Sequence, residues 1–180
     1  MTAGEKQEIG QMPQESEDCM KVEEGSIYFP TPNDSAIANF EKRWRIVLPK
    51  DYKTFLQKYN LAIPIAKSFD YLGHGYFVVR FCGMIEEIKK ARKEESDFDI
   101  DVIDAQLDDR LSEDRHSNET ALMPIAELFA GDLLCMDFRN GSSNPTICIW
   151  YHEDSGYFSP STGTIANTFS EFLSMLYEEE

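Results

Sequence analysis

Residues 121 to 153 limit the fold more than any other part of the chain. Leu133, Cys135 and Phe138 make a mostly apolar run with Asp137 and Arg139 beside them. The turn formers Asn140, Gly141, Ser142, Ser143 and Asn144 follow, and Thr146 to Tyr151 then rise as a β-branched and aromatic run. The pattern predicts two buried strands joined by a long hairpin loop, entered through a linker.

Upstream of this hairpin the periodicity is first helical and then extended. Ile37, Phe40 and Trp44 recur at three- and four-residue spacing behind the potential caps Asp34 and Ser35. Pro49 suits the first turn of a second helix, since its fixed φ is already helical and its missing donor has no partner to lose there; Tyr52, Phe55, Leu56 and Tyr59 line one face. Lys42, Arg43, Arg45, Lys50, Lys53 and Lys58 make this helical pair locally basic, the usual composition of a solvated face. Ile63 to Ala66, Phe69 to Leu72 and Gly75 to Cys82 read as short antiparallel strands punctuated by Pro64, Gly73 and Gly75. Met84, Ile85, Ile88 and Ala91 follow helical spacing through Glu94. Tyr157 to Pro160 reads as a last strand, and a final amphipathic helix carries Ile165, Phe169, Phe172, Leu173 and Leu176 inward behind Thr164 or Asn167. The expected fold class is α+β, a mostly antiparallel twisted sheet of about five to six strands, covered on one face and flanked by N- and C-terminal helices. Residues 1–26, rich in Glu and poor in large apolar side chains, read as a flexible acidic tail ahead of a single domain over 27–180.

Charge narrows the partners. With 33 acidic against 17 basic residues the net charge is −16, which repels nucleic acid and anionic membrane surfaces and favours a basic partner. The bias peaks from Glu94 to Asp109, where Glu94, Glu95, Asp97, Asp99, Asp101, Asp104, Asp108 and Asp109 occur without a Lys or Arg. Val102, Ile103, Leu107 and Leu111 could stripe a short helix that turns these acids outward. No basic n-region precedes an apolar run at the N-terminus and no uncharged apolar stretch reaches the ~18 residues of a membrane helix, so the expected location is cytoplasmic. Cys19, Cys82, Cys135 and Cys148 are far apart, and three lie in strand-like apolar runs, as expected of buried reduced thiols.

Catalytic and metal signatures are weak. Asp97, Asp99, Asp101 and Asp108 resemble a calcium loop in spacing, but Val102 stands where the sharp turn needs Gly and the twelfth position is not Glu. His74, His116 and His152 have no second His or Cys at zinc-site spacing; His152 with Glu153 and Asp154 comes nearest, and a rim role is the better reading. Gly73-His74-Gly75 lacks the third glycine of a phosphate loop. Acid pairs such as Asp132 with Asp137 arise by chance among so many carboxylates. Trp44 and Trp150 read as core, and Asp132 after Gly131 as a turn former.

The ordered blocks Leu48-Pro49-x-Asp51-Tyr52-x-x-Phe55-Leu56 with Tyr59-Asn60, Pro124-Ile125-Ala126, Gly131-Asp132, the strand Asp137, the Pro145-led strand, Trp150-x-His152-Glu153 and Phe169-x-x-Phe172-Leu173 together resemble the SUKH superfamily. That superfamily contains bacterial toxin-immunity proteins and fungal cell-wall-synthesis regulators. Leu61 departs from it, standing where Gly commonly follows the Asn; Asn60 can itself supply the left-handed residue that ends the helix. The resemblance implies an intracellular immunity protein that binds and neutralises a cognate, possibly nuclease, toxin, and the missing catalytic and metal sets fit a non-enzymatic protein without cofactor or metal that works by surface complementarity. A regulatory or scaffold module in cell-wall or stress signalling, with the acidic tail as adaptor, is the alternative, and a small hydrolase the weakest reading. Charge clustering, and not the resemblance, selects Asp97, Asp99, Asp101, Asp104, Asp108 and Asp109 as the partner-binding surface, with Glu153 and Asp154 on a neighbouring loop.

Overall fold

The computed structural model describes residues 20–113 and 122–179; within the first span the side chain of Asp108 is not described. Its centre is a six-stranded sheet in simple sequential order, β1 (Ser68–Tyr71), β2 (His74–Phe81), β3 (Leu122–Leu128), β4 (Leu133–Asp137), β5 (Thr146–Trp150) and β6 (Thr162–Ala166), with every neighbouring pair antiparallel. Helices α1 (Asp34–Trp44) and α2 (Lys50–Tyr59) precede the sheet, α3 (Lys93–Ser96) and α4 (Ile100–Leu111) are inserted between β2 and β3, and α5 (Phe169–Met175) closes it. The α+β architecture with helices at both ends is the expected one.

Several elements differ from the sequence expectation, each for a physical reason. The linker before the hairpin is β3, a central strand. Pro124 hides it, because proline cannot donate to a ladder; the chain tolerates it where β2 pairing has stopped at Ala126 and where the register with β4 shifts between Pro124 and Ala126. Residues 63 to 66 make only an isolated bridge between Pro64 and Val22. The helix expected from Met84 shrinks to a 3₁₀ turn, Ile88–Lys90, and the four-residue α3. Tyr157 to Pro160 form part of a turn closed by a Gly156–Ser159 bridge, and Ile165 belongs to β6 rather than to the last helix. Caps also move by one residue: the Asn33 side chain accepts from Ala36 N–H at 2.9 Å to start α1, and Thr168 accepts from Glu171 N–H at 3.1 Å to start α5.

The central strands are buried on both faces, not one. Every residue of β4 is buried, and so are four of the five in β5. Trp150 sends its indole to one side, where Nε1 donates to the Arg110 carbonyl of α4 at 3.1 Å. Its neighbour Ile149 must point to the other side. There Phe69 of β1 stacks on Tyr76 of β2 and meets Phe172 of α5 edge-on at 5.4 Å, while Phe169 packs against Tyr52 at 5.0 Å and Phe55 at 4.9 Å. Each such aromatic pair adds about 0.5–1.5 kcal/mol beyond the area it buries, so α2, α5 and the sheet are held as one aromatic core.

The domain begins earlier than residue 27. Glu23 N–H donates to the Ile63 carbonyl at 2.9 Å, Ile65 N–H to Lys21 O at 3.0 Å, and Arg80 reaches the carbonyls of Leu61 and Ser26 at 2.6 and 2.8 Å. Residues 20–26 therefore satisfy backbone groups of the domain, and the expected tail boundary at 26 is corrected to that extent; residues 1–19 lie outside the described residues. The helix exit is corrected too. Asn60 stays at φ −52°, and it is Leu61, fully buried, that takes the left-handed φ of 59°. The Asn60 side chain is occupied elsewhere, accepting from Met84 N–H and donating to Met84 O, both at 2.9 Å. Gly83 makes this lock fit, since a Cβ there would lie 2.0 Å from Asn60 Oδ1 and 2.3 Å from Leu61 Cδ1.

Candidate interaction site on the acidic helix

The acids selected by charge clustering fall into groups with different fates. Asp99 is removed from the surface, with only 5% of its area exposed. Its carboxylate accepts from Ile85 N–H at 2.8 Å and Val102 N–H at 3.1 Å, so it caps the start of α4 and ties that end to the strand exit at Gly83. Burial pushes its carboxyl above the ordinary value, against the pull of those two donors. Asp101 is exposed but matched: the Arg43 guanidinium pairs with it and Trp44 Nε1 donates to it at 2.8 Å. The burial of Asp99 corrects the expectation that it is turned outward on the helix face, while Asp101 is turned outward as expected and shares its charge with Arg43.

Asp97, at the C-terminal end of α3, is exposed, and Asp104 is half-buried and has a partner. Asp108 lies on α4, its side chain outside what is described. Asp109, Glu153 and Asp154 are exposed, Asp109 like Asp104 with a partner, and the two segments that carry them are joined through backbone carbonyls. Phe158 N–H donates to the Asp109 carbonyl at 2.6 Å, and Arg110 donates to the carbonyls of His152 and, at 2.9 Å, Ser155. The same guanidinium lies 5.0 Å over the Trp150 ring. Arg110 thus holds the 152–158 loop against the end of α4. Sequence reasoning missed it, although a lone cation directly after eight acids is a visible signal.

His152 is not a lone rim residue. Its Nδ1 lies 2.9 Å from Asp132 Oδ1, which also accepts from the His152 N–H at 2.9 Å, and its Nε2 is 4.0 Å from the Glu153 carboxylate. Asp132 therefore orients the imidazole at the foot of the acidic loop, beyond the turn role expected for it. Asp137, buried at 6% exposure, is bound by Arg139, which also reaches Glu113 and Thr162 Oγ1, each at 2.7 Å. This set is a closed structural ion network.

The chemistry these groups can perform is limited. Burial drives the Cys82 and Cys135 thiols far above the ordinary range, and that of Cys148 up to about 12, so none is a thiolate near neutral pH. Among the described residues no group of three or more His, Cys, Asp or Glu is placed to hold a metal ion; His116 and Cys19 lie outside them. Among the same residues no helix is long and apolar enough to cross a membrane.

Comparison with known families matches this architecture. A sequential antiparallel sheet between an N-terminal helix pair and a C-terminal helix is the SUKH class of fold. The SUKH family described as SMI1-KNR4 cell-wall matches residues 34–173, and the chain belongs to it. Membership is consistent with an immunity role or a cell-wall regulatory role. No curated protein and no solved structure matches the chain.

Proposed function

We propose that the chain is a non-enzymatic, cytoplasmic immunity protein that binds a cognate toxin with a basic surface and blocks it, using the acidic surface formed by Asp109, Glu153 and Asp154 with Asp97 further along. The observation that supports this reading is the Arg110 clamp, which ties the loop bearing Glu153 and Asp154 to the end of α4 that bears Asp109. Nuclease clefts hold phosphates with cations, and a carboxylate surface competes for the same cations. Long-range attraction raises association rates by ~10 to 1,000-fold. Co-expression with the products of neighbouring genes, followed by size-exclusion chromatography and mass spectrometry, tests it. A basic toxin domain co-eluting with the chain, and its activity lost in the complex, is the expected result; a toxin that remains active in the complex would overturn it.

The description of the matched family as cell-wall favours a second reading, a regulatory interaction module. Removal of residues 1–19 separates the two: toxin binding is indifferent to it, while an adaptor built on the acidic tail loses its partner.

A further inference from the structure

Opposite to the face covered by α4, the seam between α2 and α5 carries two adjoining open cavities of 440 and 400 Å³ that share Met20, Ser170 and Leu173. Phe55, Tyr59, Leu173 and Leu176 give the seam an apolar floor, and Lys21, Lys50 and Lys58 stand exposed around it. In a chain with 33 acids and 17 bases, unpaired lysines in one place are unexpected, yet among the described residues none of these three has a carboxylate partner. Their neighbour Lys53 shows the alternative, being paired with Glu41 at 2.6 Å. Among the described residues, the acids that line the cavities are Asp51 and Glu178. Asp51 is engaged by the N–H and hydroxyl of Ser170 at 3.0 and 2.7 Å and by the N–H of Tyr52 at 2.8 Å. Glu178 is exposed and lines the cavity that Lys50 and Lys58 do not.

We propose that this seam is a second interface, of opposite charge to the first, that docks an acidic segment of a partner protein whose apolar side chains enter the two cavities. Charge complementarity sets the sign: a carboxylate-bearing segment meets Lys21, Lys50 and Lys58 at contact distance. The −16 net charge does not forbid it, because at physiological salt fields between exposed charges fade within ~8 Å. An apolar anchor pair flanked by acids is the ligand form that such a groove selects. Because the seam lies on the opposite face of the sheet from α4, a segment bound there leaves the acidic surface open.

Fluorescence anisotropy with a labelled synthetic peptide of Glu and Leu at helical spacing tests the assignment, using the whole chain, the chain lacking residues 1–19, and the exposed-site variant Lys50→Glu/Lys58→Glu. The expected result is saturable binding by the whole chain, weakened by roughly tenfold or more in the double variant and by added salt. Far-UV circular dichroism checks that the variant keeps its fold. Failure of both the whole and the shortened chain to bind, or equal binding of a Lys and Leu peptide, overturns the proposal. Binding that appears only after removal of residues 1–19 assigns the groove to the chain's own N-terminal segment and overturns the external partner. Toxin binding by the double variant reads the acidic surface independently, so loss of one interface is distinguishable from loss of the other.

Discussion

The N-terminal end of α4 and its C-terminal end are both acidic, and they use their charge differently. At the N-terminal end Asp99 is buried under two backbone donors, Gly83 bridges it, and Asp101 is matched by Arg43 and Trp44. At the C-terminal end a clamp that runs through Arg110 and backbone carbonyls holds the 152–158 loop to the helix and leaves the exposed carboxylates of Glu153 and Asp154 outside it. The same residue type serves folding at one end and presents a field to solvent at the other. Density of charge in a sequence therefore does not measure density of charge on a surface.

The sharpest way to break this comparison is to disturb the locked end. Gly83→Ala places a Cβ within 2.0 Å of Asn60 Oδ1 and 2.3 Å of Leu61 Cδ1, so it should cost about 3 kcal/mol of stability, seen as a lower urea midpoint. Asp99→Ala should cost about 2 kcal/mol by leaving the Ile85 and Val102 donors without their acceptor. Asp154→Ala, on the loop clamped to the C-terminal end, should change stability by no more than about 0.5 kcal/mol; equal losses at the two positions would abolish the distinction between the ends.

Binding kinetics sharpen it from the other side. Neutralising Asp109, Glu153 and Asp154 together to Asn, Gln and Asn should slow association with a basic toxin by about tenfold while altering dissociation far less, and raised salt should mimic the change. Asp101→Asn, a single charge at the other end of the helix, should slow association less than the three changes together. Stopped-flow mixing reads both, and a larger effect at Asp101 would move the contact surface to the other end of the helix.

The smallest expected effect is in pH. Burial holds the Asp99 carboxyl above its ordinary value, so the folded state binds that proton more tightly than the unfolded chain does. The stability it contributes is fully present below the unfolded carboxylate value of about 4 and is lost as pH rises through the folded value. Denaturation of the wild type and of Asp99→Asn at a series of pH values should show the wild type losing ground as pH climbs from about 4; a constant difference would mean that the cap offsets the burial.

Much of the fold was legible from periodicity and punctuation. The β4–β5 hairpin, β1, β2, the helix begun at Pro49 and the final helix carrying Phe169 and Phe172 all follow from apolar spacing beside turn formers. β3 was not, because Pro124 interrupts it and only the end of β2 and a shifted register make a proline acceptable there. The site was half legible: the acidic segment was found as a cluster, but its division into a buried cap, a matched ion pair and an exposed face depends on Ile85, Arg43 and Arg110, which approach from 14, 58 and 42 residues away from the groups they bind.

What the amino-acid order determined by itself is local: the apolar spacing of α1, α2 and α5 and of the β4–β5 hairpin, which depends on neighbours a few residues apart, and the strongly anionic balance of the chain as a whole. The tertiary structure alone decided that α4 and α5 cover opposite faces of one sheet, that Leu61 rather than Asn60 turns left-handed beneath Gly83, and that Asp99 is buried while Asp101 meets Arg43. Burial and pairing are properties of groups brought together across the chain, and no sequence spacing contains the desolvation or the partner that fixes them.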